Sequence, residues 1–351
     1  MPLTSVLAVA YLLVIAYASL RPFSGWRVPP DEIRQFLTAQ WPPYITLQDV
    51  LLNIAAYVPL GFLLAAALMT RYSHPRAVLI GVVLALLTSA IMEALQSFLP
   101  ARVASNVDIL ANTLGGLIGA LAAPVFALTH RPGMRVARLR REWFVPGRSA
   151  DVGVVVVSLW LLTQLHPTAQ LFGTGRLRET LDLPVWFVHT PQALVVAQAA
   201  VAGLNFLGIG LIVVALTRDT MARVSVIGAV VGTAIAAKAL AAVALMPSAG
   251  ILTWLTPGVV VGLLAGGILL YALARLPRRA QWIAAALSFA AAIAAINVGP
   301  DNPYQTLPPQ FLVQGPTHFL SFSGMVRALS ELWPFLAVGY ALVAAGARRP
   351  S

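Results

Sequence analysis

The chain has 351 residues and a net charge of +11, with 59% hydrophobic and only 10% charged residues. A soluble domain carries about 25% charged residues, so this chain has too little charge to cover a water-facing surface and reads as an integral membrane protein. The positive charge is not a nucleic-acid footprint, because the arginines sit in short segments between apolar runs; with no cysteine, disulfides, thiol nucleophiles and thiolate metal sites are also excluded.

The apolar runs approach the roughly 20 residues that a helix needs to cross a bilayer. They predict spans near 3–20, 47–69, 77–96, 107–128, 151–166, 190–216, 225–246, 255–274, 281–298 and 329–346. The expected fold is all-α, a polytopic transmembrane helical bundle of about ten spans. The first run ends near Ala16-Tyr17-Ala18, which looks like a signal cleavage site, but no Lys or Arg precedes it, so a retained helix is expected. Segments 21–46 and 299–328 carry aromatics such as Trp26, Trp41 and Tyr44 together with prolines, the composition of an interfacial belt.

Orientation follows from arginine. Segment 131–148 holds Arg131, Arg135, Arg138, Arg140, Arg141 and Arg148 and is expected on the cytoplasmic side, in contact with anionic lipid. Counting outward from it places both termini in the cytoplasm, with fifteen arginines inside, seven outside and Lys238 within a span. The expected division is a four-helix membrane unit at 1–129, a basic cytoplasmic linker at 130–148 and a six-helix membrane module at 149–351.

Most polar residues within the spans fall in the first unit. Asp49, Asn53 and Tyr57 are spaced four apart on the second span and share one face, descending about 12 Å from its start. Pro59 is expected to kink that span. Glu93 and Gln96 end the third span, Arg102 and Ser105 follow in the connection, and Asp108 and Asn112 open the fourth. The second and fourth spans thus both begin Asp, an apolar residue, Leu, any residue, Asn. Gly115 and Gly119 form a G-x-x-x-G that permits close helix contact.

Ionisable groups in hydrocarbon are costly and normally face a protein interior or a wet cavity. The expectation is an outward-facing polar pocket. There Arg102 engages an anionic group, Asp49, Glu93 and Asp108 accept hydrogen bonds, and Asn53, Gln96, Ser105 and Asn112 set orientation. The expected ligand is an amphiphile: a lipid head group, a lipid-linked envelope precursor or a lipoglycopeptide. Two alternatives stay open. Asp49 and Asp108 also suit helix N-caps and Arg102 also suits neutralising Glu93, which makes the cluster structural glue in a membrane scaffold. Glu93 and Asp108 also suit an acid–base pair acting on a lipid-linked substrate. Carboxylates ligate Mg²⁺ or Ca²⁺, but no D-x-x-D-type cluster is present. There is also no P-loop, G-x-S-x-G or H-E-x-x-H. No metal, cofactor or nucleic-acid partner is expected; membrane lipids are.

The second half is sparser in polar groups. Gln192, Gln198 and Asn205 lie along the sixth span, and Gln198 and Asn205 share a face. Arg327 and Glu331 have ion-pair spacing, and His318 is expected at an interface. Lys238 is expected either to snorkel outward or to pair with an acid such as Glu331.

The stretches Asp49–Gly61 (DVLLNIAAYVPLG) and Glu93–Gly116 (EALQSFLPARVASNVDILANTLGG) resemble the VanZ-like family of membrane proteins. The resemblance covers about residues 1–129 and implies the family's four-span unit in a multi-pass protein of the bacterial cytoplasmic membrane. The family's founding member is associated with low-level resistance to teicoplanin, but the resemblance implies no settled biochemical activity, and the six-span extension departs from the minimal unit.

Overall fold

The computed structural model describes residues 3–20, 23, 25–28, 41, 47–100, 102–126, 131–165, 171–172, 174–181, 184, 190–218, 220–245, 252, 254–300 and 317–347. Among them the chain is built from helices: α1 (Leu3–Leu20), α2 (Leu47–Leu68), α3 (His74–Gln96), α4 (Asn106–Val125), α5 (Arg131–Trp143), α6 (Arg148–Thr163), α7 (Arg178–Leu181), α8 (Pro191–Leu216), α9 (Thr220–Leu245), α10 (Pro257–Leu273), α11 (Arg278–Val298) and α12 (Thr317–Gly346). Every predicted span coincides with one of these. Seven stretches are long and apolar enough to cross a bilayer: Val50–Leu68, His74–Gln96, Asn106–Val125, Pro191–Leu216, Arg223–Val243, Arg278–Val298 and Leu329–Gly346. Leu7–Leu20 and Pro257–Leu273 are shorter apolar helices. The protein is a multi-pass, all-α membrane protein.

Local chemistry sets the boundaries. Ser105, Thr190 and Thr256 each cap a helix, their hydroxyls accepting from the backbone N–H of Val107, Ala193 and Val259. Pro191 and Pro257 open α8 and α10, where the missing N–H costs nothing. Helix α2 runs continuously through Pro59. The basic segment also differs from a plain linker, since α5 occupies most of it. Pro132 and Gly133 suit a helix start as well as a loop, and the Arg-rich stretch behind them has good helix propensity.

The chain divides into two compact units. One comprises Met1–Arg138 with Pro309–Met325, the other Leu139–Pro308 with Val326–Ser351.

In the second unit α8 is the buried hub. Its Gly203 meets the backbone of α10 at Gly262 and Gly266, and Gly208 accommodates the ring of Phe289 from α11. An aromatic core surrounds it: Trp160 lies 5.0 Å from Phe172 and 6.4 Å from Trp333, which packs edge-on against Phe289 at 5.2 Å. Trp333 donates its indole N–H to the Val156 carbonyl at 2.7 Å, whereas the equally buried Trp160 indole N–H makes no hydrogen bond. Leu171 and Phe172 are fully buried, and the following backbone is tied down by amides. Leu177 N–H donates to Asn297 Oδ1 and Asn297 Nδ2 donates to the Gly175 carbonyl, both at 2.8 Å. Arg178 donates to the carbonyls of Asn297 and Gly299 at 2.6 and 2.7 Å. Gln198 and Asn205 are buried on one face as their spacing predicts, accepting from Thr256 and Thr174; Gln192 is exposed. Lys238 does not snorkel, being only 1% exposed. The side chains of His318 and Arg327 lie outside the described residues.

Candidate functional site

In the first unit α2, α3 and α4 each turn one stripe inward at every fourth residue. On α2 it is Asn53, Tyr57, Gly61 and Ala65; on α3, which runs the other way, Glu93, Ser89, Ala85 and Gly81; on α4, Asp108, Asn112, Gly116 and Ala120. Asn53 is half-buried and the other eleven are buried. A step of four residues rises about 6 Å, so the stripes stack as four storeys, two polar and two of small residues.

The first storey holds Asn53, Glu93 and Asp108. Asn53 Nδ2 donates to Asp108 Oδ1 at 2.8 Å. Glu93 Oε2 accepts from the Ser105 backbone N–H at 2.9 Å, and Glu93 lies within electrostatic range of both Asp108 and Arg102. Ser105 plays a double part, since its hydroxyl also caps α4 by accepting from Val107 N–H at 3.2 Å. The second storey holds Tyr57, Ser89 and Asn112. Asn112 Nδ2 donates to Ser89 Oγ at 2.9 Å. Tyr57 is 4% and Asn112 5% exposed. The Tyr57 hydroxyl lies beside Ser89 without meeting hydrogen-bond geometry, and Asn112 Oδ1 likewise accepts no bond. Such atoms are uncommon in native interiors.

Below them the seam closes. A Cβ on Gly61 would strike the Gly116 carbonyl, one on Gly115 the Ile54 carbonyl and one on Gly119 the Val58 carbonyl. The G-x-x-x-G of α4 therefore lets α2 and α4 pack in parallel, backbone on backbone. Gly116 faces Ala85, and Gly81 faces Ala65, so α3 fits the same groove. Small residues make the helices approach, and their approach brings the polar residues four and eight positions away into bonding distance.

Helix α1 covers one side. Tyr11 donates to the Ala56 carbonyl at 2.9 Å, and Ile15 packs with Tyr57, Leu60 and Met92. At the end of α1, Gln96 Nε2 donates to the Ser19 carbonyl at 3.0 Å and Arg102 Nη2 to the Ala18 carbonyl at 3.2 Å. These carbonyls belong to the last turn of a helix, which carries partial negative charge and favours an arginine.

The structure thus brings together Asn53, Tyr57, Glu93, Ser105, Asp108 and Asn112, with Gln96 and Arg102 beside them on α1. Asp49 sits on α2 one turn before Asn53, and its side chain lies outside the described residues. The Asp-x-Leu-x-Asn echo is not matched in register: Asn53 pairs with Asp108, so the two copies are offset by one turn. Sequence reasoning missed Ser89, whose signal was its place four residues before Glu93 on the same face, and the part played by α1, whose contacts with Gln96 and Arg102 are through its main chain and leave no side-chain signature.

A bundle of long apolar helices enclosing one charged seam defines a multi-pass membrane protein with its distinctive polar chemistry in the N-terminal unit. Residues 6–127, which hold the whole seam, match the family described as VanZ/LLP1. Over this segment the chain is similar to the VanZ-like family, and the remaining helices lie outside the match. No curated protein and no solved structure matches the chain.

Proposed function

We propose that the VanZ-like unit binds the polar head of an amphiphile at the outer face of a bacterial cytoplasmic membrane, the ligand being a lipid head group, an envelope precursor or a lipoglycopeptide. One observation carries this reading: a two-storey polar seam lies within apolar helices, and its second storey retains two buried polar atoms, Tyr57 Oη and Asn112 Oδ1, without partners. Leaving such groups unsatisfied costs about 1–3 kcal/mol each, a cost that a hydroxyl- or amine-bearing ligand removes. In this reading Glu93 and Asp108 accept from ligand donors, Arg102 meets an anionic group, and Asn53, Gln96 and Asn112 fix orientation. The glycine floor limits entry to two storeys, about 12 Å. The arginine distribution supports placing the Glu93 end outside.

A second reading has its own support. Glu93, Gln96 and Arg102 already bond to backbone groups at Ser105, Ser19 and Ala18, as a purely structural network would. Native mass spectrometry of the purified chain separates the two, comparing wild type with Arg102→Ala and Glu93→Gln after each is shown to be folded. The binding reading expects a specific amphiphile on the wild type that is lost in both variants. A wild type that retains none, or variants that retain it unchanged, overturns it in favour of the scaffold. A ligand identified in this way is then incubated with the protein, and turnover abolished by Glu93→Gln or Asp108→Asn makes the site catalytic.

A further inference from the structure

The opposite end of the same helices carries a different feature. Between the first turns of α3 and the last turns of α4 lies an open groove of about 470 Å³, lined by His74, Pro75, Val78, Leu79, Leu117 and Leu121 among others. Its volume falls in the usual range for small-molecule sites, and apart from His74 its walls are apolar. His74 and Glu93 are nineteen residues apart on one helix, about 28 Å along its axis and close to the thickness of a bilayer's hydrocarbon core. The groove therefore meets the membrane interface opposite the polar seam.

Two arginines flank this groove in sequence. Arg71 and Arg76 are exposed on either side of His74, and neither 64–84 nor 113–130 contains an acidic residue. An apolar helix face in a bilayer is covered by any lipid. A slot beside a turn that carries two exposed guanidinium groups is selective, because their positive charge favours a net-anionic head group and arginine holds its phosphate through paired N–H donors. We infer that this groove holds an acyl chain of an anionic phospholipid whose phosphate is engaged by Arg71 and Arg76. The basic turn then orients the unit in the membrane by a specific bound lipid as well as by its charge. The site stands apart from the proposed head-group seam and does not depend on it.

The test uses the full chain in nanodiscs of equal parts phosphatidylcholine and phosphatidylglycerol, with retained lipids counted by native mass spectrometry. Wild type is expected to keep phosphatidylglycerol preferentially. The preference should fall about fivefold for each arginine removed in Arg71→Gln and Arg76→Gln, and Leu79→Trp, which fills the groove, should reduce retention of both lipids. An unchanged preference in the double variant Arg71→Gln/Arg76→Gln, or no preference in wild type, overturns the inference. Should the double variant fail to fold, a photoreactive phosphatidylglycerol on the wild-type protein decides: cross-links in 74–82 and 117–124 support the site, and cross-links confined to 131–148 overturn it.

Discussion

The two units solve the same problem in opposite ways. Each must hold helices together where no water drives apolar surfaces to associate, so packing and internal hydrogen bonds carry the load. The second unit does it with bulk: Trp160, Trp333, Phe172 and Phe289 interlock around α8, and amides such as Asn205 and Asn297 tie side chains and loop to backbone. The VanZ-like unit does it with absence of bulk: glycines and alanines bring α2, α3 and α4 together, and carboxylates and amides occupy the end of the seam. In the bulky core most amides and hydroxyls bond to neighbours, although buried atoms such as Trp160 Nε1 and Gln281 Oε1 make no hydrogen bond. A small-residue seam keeps its polar groups aligned along one line, which is the arrangement a ligand site requires.

Gly119→Val tests that contrast most severely. Its side chain would run into the Val58 carbonyl, and backbone cannot step aside as a rotamer can, so destabilisation on the order of 3–5 kcal/mol or outright loss of folded protein is expected. Gly228, with open space around it and inside a helix, should accept alanine without loss and with a gain of up to about 1 kcal/mol. Comparable melting temperatures for the two variants would break the description of the seam. Trp333→Phe probes the bulky core and should cost about 1–2 kcal/mol, from lost ring area and from the Val156 carbonyl left without its donor; equilibrium unfolding in mixed micelles reads it. Ser89→Ala should have the smallest effect, about 1 kcal/mol or less, since one hydrogen bond to Asn112 is lost and interhelical hydrogen bonds in membranes are modest. A larger loss for Ser89→Ala than for Trp333→Phe would invert the comparison and make polar bonding the main glue of the VanZ-like unit.

Much of this was legible in the sequence, because length and hydrophobicity alone define spans in a bilayer. All ten predicted spans meet helices, and the convergence of Asn53, Tyr57, Glu93, Asp108 and Asn112 followed from the cost of leaving polar groups in hydrocarbon. The weak G-x-x-x-G at Gly115 and Gly119 became decisive only in three dimensions, where Gly61 on another helix completes it. Other features were illegible for identifiable reasons. The bonds that α1 accepts from Gln96 and Arg102 run to the carbonyls of Ser19 and Ala18, which any residue supplies. Lys238 looked able to snorkel because its stem is long, and the sequence does not say which neighbours enclose it. Helix α5 was hidden by a Pro-Gly pair that serves a helix start as readily as a loop.

The four-residue beat of the seam has a mechanical consequence. Were α2 to slide inward along α4 by one turn, the ring of Tyr57 would arrive where Gly61 now lies flush against Gly116, and there is no space for it. Sliding outward would withdraw Gly61 and lift Asn53 away from Asp108. The pair is thus keyed against piston motion and moves as one rod. Along this axis the seam is therefore fixed, and Arg102 and Gln96 tie its polar end to the last turn of α1.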